Sequence, residues 1–427
     1  MTAGAPSTSR IPLVVFGSIA TGLLLGLVLV LLVFAGAPEG RITGSALVAL
    51  GVGFAVLASA SRPTAQPQAW AFPPGVATIA VGLAVLTVDP GTRLLRLAGW
   101  MWPLLLVVLV GWSFTNARRS LRHWSRRAFL YPAFGVLLLV AVGGAFETVA
   151  GAAATDGPTS GRTYRVDGHR LYLSCTGRGA PTVVLFNGLG ERTQSWARVQ
   201  RGVSTATRVC VFDRAGEGWS GPGSGSQDGH QLALDLHELL RAARVPGPYV
   251  LAGHSVGGPY ALVYASMYPA QVAGMALIDS SSPDQFELPD YPRFYSMWRR
   301  VGALLPSLSR AGGRLVGASS ADEYSADRRE FNELPRVFAQ AKALRSLHGK
   351  PLAVVTADRG AMRGWQAAQA KLARLSTDGV RLHIPGATHT AILGDETYAR
   401  IASNAIVGVI ERVGSWRTSR REASRRP

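Results

Sequence analysis

The chain has 427 residues, a formal charge of +18 at pH 7 and 48% hydrophobic residues, a length that allows two or three domains. The charge would suit a nucleic-acid partner, but much of the excess sits in two short stretches, 116–127 and 412–427, so no nucleic acid is expected. Most of the apolar content lies before residue 150.

There, Ile11–Ala35, Ile42–Ala60, Gly75–Val88, Leu94–Phe114 and Ala128–Phe146 contain no acidic residue and almost no basic one. Crossing a bilayer core takes roughly 20 apolar residues, so residues 1–150 read as about five transmembrane helices. The third is short unless Ala69–Pro74 contributes Trp70 and Phe72 as an interfacial lead-in. A cleaved signal peptide fits the first run poorly, because its apolar stretch is long and four more follow. Arg118, Arg119, Arg122, Arg126 and Arg127 crowd one loop without an acid, which marks that loop as cytoplasmic. Counting back places Arg62 and Arg10 inside. Without the third span Arg10 would lie outside, but in both cases the chain beyond Gly151 is extracytoplasmic.

Residues 151–161 are small, polar and Gly-rich, as suits a linker. Beyond it, short β-type runs alternate with helical ones: Thr163–Val166, Arg170–Ser174, Thr182–Phe186, Arg208–Phe212, Tyr249–Ala252, Met275–Ile278, Leu352–Val355 and Arg381–Ile384. That alternation predicts an α/β fold with a largely parallel sheet covered by helices on both faces. Between the fifth run and the helical stretch Pro259–Tyr268 stands Gly253-His254-Ser255-Val256-Gly257. A strand-turn-helix with glycines two places either side of a serine lets that serine point out of a strained turn.

Three further landmarks flank this elbow. Phe186-Asn187-Gly188-Leu189-Gly190 follows the third run, Asp213-Arg214-Ala215-Gly216-Glu217-Gly218-Trp219-Ser220 the fourth, and Gly386-Ala387-Thr388-His389 the eighth. In this order the four motifs make residues 162–412 resemble an α/β-hydrolase. The resemblance implies a mostly parallel eight-stranded sheet with a helical cap at about 281–350. It also implies acyl transfer from Ser255, with His389 as base. A free serine hydroxyl is a poor nucleophile, and a carboxylate must hold the imidazole in its working tautomer. For that acid, Asp279 after the sixth run is favoured and Asp358 after the seventh is the alternative. Backbone N–H groups of Leu189 and Val256 are the expected oxyanion donors. Asn187 stands where the family usually has His. Asp213 and Arg214 read as braces of their turn, and His254 as a packing or hydrogen-bonding residue.

A serine nucleophile sets the chain apart from relatives that use aspartate, such as epoxide hydrolases and haloalkane dehalogenases. Neither a metal-ligand cluster nor a phosphate loop with its lysine appears, so no cofactor and no metal is expected. The insertion carries Phe294, Tyr295, Trp298, Leu304 and Leu305, which suits a cap lining an apolar pocket for a hydrophobic ester. In the family's strand order Cys175 and Cys210 face each other across neighbouring strands, either as a disulfide or as two buried thiols. Residues 413–427, with Arg417, Arg420, Arg421, Arg425 and Arg426, read as an unstructured basic tail, solvated or resting on anionic lipid.

The reading is therefore a membrane-anchored serine hydrolase acting on an ester, lipids included. A peptidase of the same fold is the alternative, with Glu323 and Glu333 as binders of a peptide amine. A non-catalytic ligand sensor has no need of a complete set of serine, histidine and acid. A transporter lacks the usual intramembrane ionisable groups, Glu147 at a span end being the one candidate.

Overall fold

The computed structural model describes residues 10–121, 130–153, 160–223 and 225–423, with side chains described as far as residue 415. Arg122, Arg126 and Arg127 of the basic loop, most of the 151–161 linker, and Arg425 and Arg426 lie outside the described residues. The described chain forms two compact units. One takes the residues up to Ala153 together with Ser296–Ser325, and the other takes the rest.

In the first unit α1 (Ile11–Val28) runs on through a π-turn to Val33, followed by α2 (Glu39–Ala60), α3 (Phe72–Val88), α4 (Thr92–Ala98), α5 (Trp102–Ser120) and α6 (Leu130–Ala153). Four segments are each long and apolar enough to cross a bilayer: Ile11–Val33, Glu39–Ala60, Ala69–Val88 and Leu130–Ala153. The third reaches this length because the turn Ala69–Ala71 leads into α3. The expected fourth span, Leu94–Phe114, is broken: α4 and α5 meet at a 49° bend. Pro103 explains the restart, since a residue without an N–H fits the first turn of a helix and not its interior.

Helices α2 and α3 approach backbone to backbone. A Cβ on Gly51 would stand 2.7 Å from Gly75 O and 2.5 Å from Thr78 Oγ1, and one on Gly44 would stand 2.8 Å from Gly82 O. At the ends of the helices the buried Glu39 pairs with Arg310, which also meets Asp322 at 3.1 Å. Asp322 in turn pairs with Arg96 at 2.7 Å. Glu147 Oε1 accepts the Ala321 N–H at 2.9 Å, so this carboxylate is engaged by the 296–325 segment of its own unit.

The second unit is built on one eight-stranded sheet. Its strands are β1 (Arg162–Val166), β2 (His169–Thr176), β3 (Thr182–Phe186), β4 (Val209–Asp213), β5 (Tyr249–His254), β6 (Val272–Ile278), β7 (Leu352–Arg359) and β8 (Gly379–Thr388). Their order is β1-β2-β4-β3-β5-β6-β7-β8, antiparallel at β1/β2 and β2/β4 and parallel elsewhere. β3 to β6 are buried along their whole length, as parallel strands covered on both faces must be. The faces alternate along each strand. Leu251 joins Leu236, Tyr260 and Leu277 in one core, while Val250 joins Trp196, Ala276 and Ile406 in the other. Cys175 and Cys210 stand opposite each other in the β2/β4 register and are joined as a disulfide, the first of the two states the sequence left open.

Two expectations are corrected. The chain is not unstructured from residue 413, because a helix spans Glu396–Ala423. Ile406, Val409 and Val413 at its buried face anchor it, and Arg412 donates to Leu352 O at 3.0 Å and meets Asp378 at 2.5 Å. Nor is the 281–350 insertion one body. Phe294 and Tyr295 pack on the sheet unit, whereas Trp298, Leu304 and Leu305 belong to the helical unit. Glu323 accepts from Ser320 N and Oγ, both at 2.8 Å, and Glu333 faces Arg336 at 3.6 Å.

Candidate active site

β5 runs into Ser255, whose φ of +54° is the left-handed backbone of a tight elbow. Only glycine fits the flanks of that turn. A Cβ at Gly253 would lie 2.6 Å from the Gly257 carbonyl, and one at Gly257 would lie 2.2 Å from Phe186 O. The helix Gly257–Met267 starts immediately afterwards and carries the chain away. Asp279, directly after β6, also has a positive φ, +40°, a conformation Asp tolerates better than most residues. His389 follows β8.

These three residues meet although they are far apart in the chain. His389 Nε2 lies 3.0 Å from Ser255 Oγ, and His389 Nδ1 lies 2.6 Å from Asp279 Oδ2. Asp279 Oδ1 accepts from Ala357 N at 3.1 Å and from Trp365 Nε1 at 2.9 Å. Burial alone would raise the pKa of Asp279. The hydrogen bond and charge of His389, with the Trp365 and Ala357 donors, outweigh burial and hold the carboxyl below its ordinary value. The His389 side chain is 43% exposed against 4% for Asp279, so the ring faces solvent while its partner stays dry. The indole of Trp365 stands edge-on to the His389 ring at 6.1 Å.

Asp358, the alternative acid, is not brought to His389. Its Oδ1 accepts from Gly386 N at 2.8 Å and so braces the end of β8. Among the described residues, the Leu189 and Val256 N–H groups donate to no backbone acceptor. The turn holding Leu189 is clamped from below. Arg214 donates to Asn187 O at 2.6 Å and to Gly188 O at 2.8 Å, and pairs with the buried Glu330 at 2.8 Å. Asn187 Nδ2 donates to Phe212 O at 2.9 Å, which gives that position a bracing role. Asp213 accepts from Thr193 N, Thr193 Oγ1 and Trp219 N. Burial pushes its carboxyl up and these donors push back.

His254 does hydrogen-bond, to Glu191 Oε1 at 2.6 Å through Nδ1 and to His389 O at 3.0 Å through Nε2. Glu191, Glu330 and Trp365 are the site neighbours that sequence reasoning missed. Glu191 carried a local signal, standing three residues after the Gly188 turn. For Glu330 and Trp365, 116 and 86 residues from the groups they bind, no local pattern exists.

The family model for the alpha/beta hydrolase fold matches residues 181–380. Rat 1-acylglycerol-3-phosphate O-acyltransferase ABHD5 is 30% identical over 141 residues, which cover 32% of this chain and 40% of that protein. YqjL of Bacillus subtilis is 28% identical over 124 residues, covering 29% and 49%. A Schizosaccharomyces pombe protein, C23C11.06c, is 43% identical over 81 residues, covering 19% and 15%. The chain thus spans less than half the length of these three relatives. Among solved structures, haloalkane dehalogenase DbeA from Bradyrhizobium elkani aligns over 58% of this chain and 98% of its own, at 18% identity and a TM-score of 0.49. A thermophilic esterase from Thermogutta terrifontis aligns over 59% and 99%, at 22% and 0.47. The sheet order and the family match define the second unit as an α/β-hydrolase fold. In this chain that fold is joined to a unit of apolar helices.

Proposed function

We propose that the chain is a membrane-anchored serine hydrolase that cleaves an ester bond through an acyl-enzyme. The observation that carries this reading is the continuous hydrogen-bonded line from Ser255 Oγ through the His389 ring to Asp279. Ser255 Oγ attacks the ester carbonyl carbon while its proton passes to His389 Nε2. The ionised Asp279 holds Nδ1–H and stabilises the resulting imidazolium. The carbonyl oxygen, now an oxyanion, accepts from the N–H groups of Leu189 and Val256. His389 then protonates the leaving alcohol, and water activated by the same ring releases the acid and frees Ser255.

Anchoring rests on the four apolar helices and on the bent α4/α5 pair as a fifth span. The arginine loop and the Cys175–Cys210 disulfide both favour a catalytic unit on the extracytoplasmic side, since disulfides persist in oxidising compartments.

The test is reaction of the detergent-solubilised full chain with a fluorophosphonate probe. Wild type should label, while Ser255→Ala and His389→Ala should lose labelling by roughly 10,000-fold or more without losing fold. A folded wild-type chain that does not react sinks the hydrolase reading. For the orientation, a membrane-impermeant thiol reagent should reach Ser160→Cys in intact cells; labelling only after lysis would reverse the topology.

A further inference from the structure

Beside the Ser255, His389 and Asp279 line lies a second imidazole and carboxylate, which the mechanism above leaves unused. The His254 ring is buried, 1% exposed, and stacks on the His389 ring with centroids 4.7 Å apart. Its two nitrogens face a carboxylate oxygen of Glu191 and the backbone carbonyl oxygen of His389. A backbone carbonyl and an ionised carboxylate only accept, and the Gly188 N–H and the Arg214 charge favour the ionised Glu191; both contacts are then satisfied when both ring nitrogens donate, which makes the ring an imidazolium. Beside an ionised Glu191, a neutral tautomer would point a bare lone pair at one of the two oxygens, a costly contact for a ring buried as deeply as that of His254. The second Glu191 oxygen, Oε2, accepts the Gly188 N–H at 2.5 Å.

We propose that Glu191 and His254 are positioning residues for the acyl transfer proposed above. They form a carboxylate–imidazolium pair, its ring buried and its carboxylate partly exposed, that ties the Gly188 turn, the Ser255 elbow and the His389 loop into one cradle. This role rests on the hydrolase reading. Each of the three segments contributes one attachment: Gly188 N–H, the His254 ring itself, and His389 O. The pair also sorts the donors of the oxyanion turn. Gly188 N–H is engaged by Glu191, which leaves the neighbouring Leu189 N–H for substrate. By holding the His389 carbonyl, His254 fixes the backbone from which the catalytic ring reaches Ser255.

The charged groups around the pair are consistent with it. His254 faces Glu191, the Asp279 carboxylate and His389, and Glu191 feels Arg214 in addition. Arg192, next in the chain, is turned to Asp327 at 2.6 Å and Glu217 at 3.8 Å. Burial would lower the pKa of His254, but the Glu191 charge and hydrogen bond, Asp279 and the His389 carbonyl raise it. Burial would raise the pKa of Glu191, but His254, Gly188 N–H and Arg214 hold it down.

The experiment uses the full chain in detergent with ¹⁵N-labelled histidines, His254→Asn serving to assign the ring. The expected result is a pair of His254 nitrogen shifts in the imidazolium range at pH 7 in wild type, and neutral-ring shifts in Glu191→Gln. Fluorophosphonate inactivation of Glu191→Gln should slow about 10- to 100-fold at saturating probe, with half-saturation unchanged, because misplaced catalytic groups cost about that much. Glu191→Asp, which restores a carboxylate, should recover part of the loss, whereas a merely structural residue would show no dependence on charge. A neutral His254 in wild type overturns the proposal. So does a folded Glu191→Gln chain that reacts at the wild-type rate. Absence of any reaction in wild type removes the positioning role together with the hydrolase reading, while the nitrogen shifts still report the charge state on their own.

Discussion

In the helical unit Leu24, Leu32, Leu104 and Leu139 each leave 63% to 71% of their surface exposed, whereas in the sheet unit Leu185, Leu239, Leu251 and Leu277 are wholly buried. Each such leucine left in water would forgo roughly 1.5–3 kcal/mol. The sheet unit recovers this by packing side chains against one another; on the membrane reading, the helical unit recovers it from lipid. The contact residues differ accordingly. Between α2 and α3 the close contacts are made by Gly44, Gly51, Gly75 and Gly82, while the sheet faces are filled by Trp196, Tyr260 and Ile406. Lipid tails are as apolar as leucine, so helices within them gain by close backbone approach, whereas a core shielded from water gains by bulk. Position in the chain thus matters less than the solvent each surface meets.

Substitutions that act in one unit and not in the other test this division. The largest effect belongs to the sheet unit. Asp279→Asn should slow fluorophosphonate labelling roughly 1,000- to 10,000-fold, because the histidine loses the partner that sets its tautomer. Asp358→Asn should change the rate by less than about 10-fold; the reverse ranking would reassign the acid. Next comes the Cys175–Cys210 link, which closes 35 residues of chain. Removing both cysteines should cost about 3 to 4 kcal/mol on chain-entropy grounds, seen as a lower melting temperature that dithiothreitol reproduces in wild type.

A smaller effect is expected in the helical unit. Gly51→Leu forces a side chain against the Gly75 backbone and should cost about 1–3 kcal/mol in detergent unfolding. It should leave the labelling rate of Ser255 unchanged, and a slowed rate would show that the units are not independent in this respect. The smallest effect is the pH dependence of the Glu191–His254 pair. The raised pKa of His254 means that its contribution is fully present below about pH 6.5 and is lost as pH rises through the folded value. The depressed pKa of Glu191 means that its contribution is present above about pH 4.3 and is lost as pH falls through the folded value. Thermal melts of wild type between pH 5 and 9 should therefore weaken on the alkaline side, and Glu191→Gln should flatten that decline.

Much of the sheet was legible because buried parallel strands are written as short uninterrupted apolar runs. All eight strands include or overlap the runs read from the sequence, with ends shifted by a few residues. Ser255 and His389 could be singled out as candidates because steric demands at the elbow and the chain order of the fold constrain local sequence. The choice between Asp279 and Asp358 was not local. Both follow apolar runs in the sequence, and what distinguishes them is the backbone turn at Asp279, its contact with His389 and the distant donors of Trp365 and Ala357. The Glu191–His254 pair was hidden for the same reason, its members being 63 residues apart. In the helical unit composition revealed apolar segments but not the break at α4/α5. The helical continuation past residue 413 was missed because the buried stripe of Ile406, Val409 and Val413 was overshadowed by the polar residues that follow.

The assignment of residues 296–325 to the helical unit has a practical meaning for anyone trimming this protein. The two units are interleaved along the chain, so no single cut separates them. A fragment beginning near residue 157 would still carry Arg310 and the Ala321 N–H, stripped of Glu39 and Glu147, the carboxylates that receive them in the intact chain. Separating the sheet unit therefore calls for two edits, removal of the leading helices and of residues 296–325.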